Sequence, residues 1–330
     1  MSARPLEGAS AAARQRDARP VRALVISHAA ANRVQGAEGL DEARLCRERR
    51  SKKVGALPLR ARMVLHASAR CVAPDTPVPA DVGVSLGTQF GAIDVAEQAL
   101  ETVAREGFGG VTPSAYATGL PNAVAAIVAS VHGLQGPNLT LLGYQSGLDA
   151  IIAACRQIRA GNARAMLAGG FDLPSERYAA HLKDTPRYAD AGPILPGVGL
   201  LWVREADPAE EAAGALVMGW ASGHLATPLS ALGQDTASDP DVRALIARAV
   251  PGEEGAGVQI HALYPGRPGL PDYLAASAPL YLIETVLAAP APGVHAVLVQ
   301  GFHPTACLCL VIRKTAGRVA ERALPGSEET

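Results

Sequence analysis

This chain is short of aromatic residues and of any surplus charge. Phe, Trp and Tyr together make up 4% of its 330 residues, so few rings are available as stacking platforms. Lys plus Arg number 30 against 31 Asp plus Glu, a formal net charge of -1, which argues against the concentrated basic face a nucleic-acid binder needs. No apolar run reaches the roughly 18–20 residues of a membrane helix, and residues 1–20 hold several arginines but no apolar stretch resembling a secretory signal. Their composition predicts a solvated, disordered start. The cysteines, Cys46, Cys71, Cys155, Cys307 and Cys309, are odd in number and irregular in spacing. That pattern suits neither a disulfide framework nor a zinc knuckle, and points to a reducing cytosol and no metal.

Apolar residues are plentiful, at 48%, with a mean hydropathy of +0.14, so a substantial core is expected. Short β-branched or apolar runs alternate with Ala-rich segments of helical period. Strands are expected at Val21 to Ser27, Val82 to Leu86, Leu139 to Leu142, Ala165 to Ala168, Gly199 to Val203, Ala215 to Ser222, Gly257 to His261, Val294 to Gln300 and Cys307 to Ile312. Helices are expected in the Ala-rich pattern that follows the basic stretch Arg47 to Arg62 and ends near Cys71, at Val95 to Glu106, Asn122 to His132 (with Asn122 as the cap), Leu148 to Ala160, Pro240 to Val250 and Ala275 to Ala288. This alternation predicts α/β layers. Cys155, Cys307 and Cys309 fall on apolar faces and read as small core residues. Gly87-Thr88-Gln89-Phe90-Gly91 reads as a strand-to-helix turn and lacks the Lys and Ser/Thr of a phosphate loop.

Three stretches occur in a telling order: GVSLGTQFGAID, then PNAVAAIVASVHGLQGPNLTLLGYQSGLDAIIAACRQIRAGNARAMLAGGFD, then GPILPGVGLLWVREAD. Together they resemble the β-ketoacyl synthases of the thiolase superfamily, strongly over residues 82–205 and weakly after 215. The resemblance implies a thiolase-like fold, layered αβαβα, with two pseudo-duplicated halves at about 21–205 and 215–314, between tails at 1–20 and 315–330. In that family a thiolate at a helix N-terminus takes an acyl group from a carrier protein. Two His, or a His and an Asn, then stabilise the enolate formed as malonyl loses carbon dioxide.

The family's Cys turn becomes Leu142-Gly143-Tyr144-Gln145-Ser146-Gly147 here. Counting back from Ser-Gly puts Tyr144 under the cysteine; counting forward from Gly136-Pro137 leaves Gln145. Neither can form a thioester. The first His motif is reduced to His261. The Lys and second His have no counterpart, because no Lys lies between Lys183 and Lys314 and no His between His261 and His295. The closing loop is altered to Gly301-Phe302-His303-Pro304-Thr305-Ala306. Tyr144, Gln145 and Ser146 thus mark a degenerate nucleophile turn, with His261 and His303 as a residual pocket.

Gln145-Ser146-Gly147-Leu148-Asp149-Ala150 also resembles the signature of chain-length factors, the cysteine-less partners of catalytic synthases in type II polyketide systems. That likeness implies heterodimer formation with an active ketosynthase, an acyl carrier protein as further partner, and no cofactor. It also implies a shared acyl tunnel and interface, for which Tyr116, Leu120, Asn122, Val124, Leu139, Leu141 and Phe302 are the candidates. Two other readings stay open. One is decarboxylation of malonyl carrier protein through Gln145; the other is a homodimeric scaffold.

Overall fold

A computed structural model describes residues 23–32, 57–72, 80–112, 118–207, 214–252, 257–268 and 270–315. Nine strands are present among the described residues: β1 (Leu24–Asn32), β2 (Val82–Thr88), β3 (Asn138–Leu142), β4 (Ala165–Asp172), β5 (Gly197–Glu205), β6 (Ala215–His224), β7 (Val258–Leu263), β8 (Gly293–Gln300) and β9 (Ala306–Lys314). The longer helices are α1 (Leu59–Cys71), α2 (Ile93–Glu106), α3 (Ala123–His132), α4 (Ser146–Arg159), α5 (Glu176–Lys183), α6 (Pro240–Ala249) and α7 (Ser277–Tyr281).

The strands run β3-β2-β4-β5-β1-β6-β9-β8-β7. The duplication is visible in their directions. In the first half β1 is antiparallel to β5, β5 antiparallel to β4, and β4, β2 and β3 are parallel. In the second half β6 is antiparallel to β9, β9 antiparallel to β8, and β8 parallel to β7. The second half has no counterpart of β3 among the described residues. β2 and β4 are buried along their whole lengths, as parallel strands covered on both faces must be.

Three apolar clusters define the layers. On one outer face, Met63 and Val64 of α1 and Val124 and Val128 of α3 pack on Val84, Leu86 and Leu167. On the inner face, Leu148 and Ile151 of α4 meet Leu282 and Val286, between Met166 of the first half and Val297 and Leu310 of the second. On the other outer face, Val242, Leu245 and Ile246 of α6 cover Ala296, Leu298 and Val311. The αβαβα layering therefore holds. Its two β layers are one hydrogen-bonded sheet, joined where Leu24–Ile26 of β1 pair with Ala215–Val217 of β6.

Several local expectations need correction. Asn122 precedes α3 but makes no side-chain cap; its backbone is helical there, whereas a capping side chain needs an extended residue to reach back. The helix expected over Ala275 to Ala288 is three pieces: a 3₁₀ turn Leu274–Ala276, α7, and a π-helical stretch Leu282–Leu287. α5 was not anticipated, although Ser175 caps it by accepting from the Tyr178 amide. The tails, Cys46 and Tyr116 lie outside the described residues, Thr315 excepted.

Candidate functional site

The site is built where β3 ends. Gly143 takes φ +129, a region closed to most side chains. Its carbonyl accepts the Ser146 amide, turning the chain sharply into α4. Gln145 stands at the N-cap, its carbonyl accepting the amides of Leu148 and Asp149. α4 then buries Leu148, Ile151, Ile152, Cys155 and Ile158, an i, i+3, i+4, i+7, i+10 stripe facing the core.

The turn is held by close backbone contact. A Cβ on Gly147 would lie 2.0 Å from the Ala275 carbonyl oxygen, and one on Gly170 of β4 would lie 2.4 Å from the same atom. Ala275 is anchored in turn by Asp172, the last residue of β4. Its carboxylate accepts the Ala275 amide (2.9 Å), the Thr88 hydroxyl (2.7 Å) and the Gln89 amide (2.9 Å). Burial pushes Asp172 up to about 6 in spite of these donors. One carboxylate thus ties the end of β2 and the start of the α7 region to β4.

Tyr144 and Gln145 point into different surroundings. Tyr144 is 4% exposed and lines a half-open pocket of about 300 Å³. Burial first, then the Asp272 carboxylate and Tyr188, raise its phenol well above the ordinary value; Ser277 and Arg187 act in the opposite sense. Asp272 accepts from the amides of Gly266 and Leu274 and from the Ser277 hydroxyl, so its oxygens are spoken for; burial raises it. The Gln145 side chain lies beside Gly143 and Gly301, and its Oε1 is buried with no hydrogen-bond partner among the described residues. The Ser146 hydroxyl is buried in the same condition. No thiol comes to the turn: Cys155 is buried within α4, and desolvation pushes it up to about 12.

The remaining predicted residues are dispersed. His261 bonds through Nδ1 to the Tyr281 hydroxyl (3.1 Å) and through Nε2 to His295 Nδ1 (3.1 Å). His303 lies on the Gly301–Thr305 loop, against Thr305 and the ring of His224. The loop is pinned by Arg187, which donates to the carbonyls of Gly301 (2.6 Å) and Phe302 (3.2 Å) beneath the exposed Phe302 ring. Leu139 and Leu141 are half-buried on β3, which forms an edge of the sheet; Leu120 and Asn122 are exposed, while Val124 is buried in the first-half core. Sequence reasoning passed over Asp172, Arg187, Asp272, Tyr281 and His295. Of these only Asp172 carried a signal, as the acid closing the quoted GGFD.

Residues 53–185 match the β-ketoacyl synthase, N-terminal domain family. A 3-oxoacyl-[acyl-carrier-protein] synthase 2 of Vibrio harveyi is 34% identical over 97 residues, which span 29% of this chain and 23% of that relative's length. Among solved structures, the ishigamide ketosynthase/chain length factor aligns over 89% of this chain and 100% of its own, with a TM-score of 0.61 and 20% identity. The type II PKS acyl-carrier protein AntF in complex with its ketosynthase, AntDE, aligns over 89% and 99%, with a TM-score of 0.62 and 15% identity. These likenesses show the fold. Among the described residues no helix is long and apolar enough to cross a membrane.

Proposed function

From the premise of a β-ketoacyl synthase N-terminal domain on a thiolase-like fold, we propose that this chain is a non-catalytic subunit of the chain-length-factor kind. It pairs with an active ketosynthase and shapes the acyl tunnel of a type II polyketide synthase. The carrying observation is the nucleophile turn itself. Its backbone cradle is complete, with Gly143, Gly147, Gly170 and Ala275 in close register, yet it presents Tyr144 and Gln145. Neither side chain can carry an acyl thioester. The edge position of β3 supports the pairing, because a strand bonded on one side only among the described residues, with Leu142 60% exposed, is a ready seat for a partner's strand.

The chemistry of the pair follows from division of labour. The partner supplies the thiolate and the enolate-stabilising histidines; this chain supplies a wall. We assign that wall to Leu120, Asn122, Leu139 and Leu141, with Tyr116 kept as a candidate from the sequence alone. An acyl carrier protein delivers the malonyl units to the partner.

Co-expression with a ketosynthase that keeps its Cys-His-His set tests this. The two chains are expected to copurify in equal amounts, and malonyl carrier protein to be elongated by the pair and not by this chain alone. Elongation by this chain alone overturns the reading. Carbon dioxide release from malonyl carrier protein by this chain alone, lost in Gln145→Ala, would replace it with the decarboxylase reading.

A further inference from the structure

None of the residues lining the pocket beside Tyr144 belongs to β3, the strand proposed for pairing. Four tyrosines line it, Tyr144, Tyr264, Tyr273 and Tyr281, together with leucines including Leu263 and Leu280. At about 300 Å³ it falls at the lower end of small-molecule sites. Its charged residues are engaged or turned to solvent. Arg267 donates to the Ala262 carbonyl, Glu284 is exposed at the rim, and Asp272 is taken up by Gly266, Leu274 and Ser277. Such a lining favours a compact, flat, uncharged guest.

The polar handle is Tyr281. Behind its hydroxyl stand His261 and His295, stacked at 5.3 Å and joined by a 3.1 Å hydrogen bond. Burial first, then His295 and Arg267, lower His261 to about 4; burial and Lys314 lower His295. Both imidazoles are therefore neutral near pH 7, and each carries one N–H. His295 Nε2 is buried without a hydrogen-bond partner among the described residues, with the Lys314 charge nearby. A bare lone pair there is favoured by the cation, whereas an N–H would be a buried orphan donor. The proton on His295 then sits on Nδ1 and is donated to His261 Nε2. His261 in turn donates its Nδ1–H to the Tyr281 oxygen. The Tyr281 O–H is left as the outward donor of a three-group chain, strengthened by the two bonds behind it.

We infer that this cavity binds a small, flat, uncharged conjugated carbonyl compound, whose oxygen accepts a hydrogen bond from Tyr281. The guest requires neither a partner chain nor an acyl thioester, so the inference stands apart from the pairing read above.

Calorimetric titration of the full chain with three naphthalenes tests it: 1-acetonaphthone (ketone), 1-ethylnaphthalene (hydrocarbon) and 1-naphthoate (anion). The ketone is expected to bind one to one, with the hydrocarbon about tenfold weaker, the effect of one hydrogen bond, and the anion weaker still. Tyr281→Phe keeps the shape of the wall and should abolish the ketone's advantage over the hydrocarbon. Thr285→Trp, at an exposed position on the lining, should weaken both while leaving the fold intact by circular dichroism. Absence of saturable ketone binding, equal affinity for ketone and hydrocarbon, a preference that survives Tyr281→Phe, or indifference to Thr285→Trp would each overturn the proposal. None of these outcomes bears on copurification with a ketosynthase, so the two readings fail separately.

Discussion

Asp172 holds an ionisable group where water does not reach, and its linkage to folding has an unusual sign. Burial raises its folded value to about 6 from an ordinary 3.8. The folded state therefore holds the proton more tightly than the unfolded chain between those two limits. The stability contributed by this group is fully present below pH 3.8 and is lost as pH rises through about 6, roughly 3 kcal/mol in all. Asp172→Asn is expected to destabilise at every pH, since its NH2 replaces an acceptor either for the Gln89 and Ala275 amides or for the Thr88 hydroxyl and, more distantly, the Gln89 amide. The wild-type margin over it should be widest near pH 4 and shrink towards pH 7. Urea melts of both proteins across that range check this; a constant margin would contradict it. Gly147→Ala tests the cradle beside it. A methyl 2.0 Å from a backbone carbonyl oxygen has no rotamer to escape through, so a loss of about 3 kcal/mol or more is expected in the same melts. At this scale the sequence was legible for Gly147, Gly170 and the missing thiol, because chemistry and tight turns name their residues. It was silent on Tyr281 and His295. These lie on separate elements, and only the inner face of the folded sheet brings them to His261.

At the scale of elements, β3 is the strand to perturb. The Val84 amide bonds the Pro137 carbonyl and the Gly143 amide bonds the Thr88 carbonyl. The alternation of a parallel ladder then turns the amides of Leu139 and Leu141 towards β2 and that of Thr140 away from it. Thr140→Pro removes only the outward donor, which an edge strand tolerates. The isolated variant is expected to melt within a few degrees of the wild type by circular dichroism but to lose copurification with the ketosynthase. Retained copurification would place the interface elsewhere. The strands were the easier elements to read, since runs such as Val82–Thr88 are buried throughout and alternate Val, Val and Leu with small residues. The segment from Leu274 to Leu287 was harder. Its apolar spacing suits one helix, yet it changes from 3₁₀ to α to π geometry along its length, and hydrophobic period does not distinguish these windings.

For the whole molecule, every cysteine among the described residues is buried, and burial pushes Cys155, Cys307 and Cys309 up to about 12. Iodoacetamide at pH 8 is therefore expected to leave Cys71, Cys155, Cys307 and Cys309 unmodified in the folded protein and to label all four in urea, as read by peptide mass spectrometry. Rapid native labelling of Cys155 would reopen the possibility of a displaced nucleophile. The duplicated architecture came from family resemblance more than from periodicity, because the second half keeps the strand directions while most of its motifs have diverged. That second half also ends its sheet at β7, where the first half continues to β3. At this far margin Arg267 already occupies the carbonyl of Ala262. The two margins of the sheet are thus unlike, one open and one partly stoppered. A pair formed through β3 uses up the open margin of each member, so the stoichiometry is written into the sheet: assembly closes at two chains instead of lengthening into a filament.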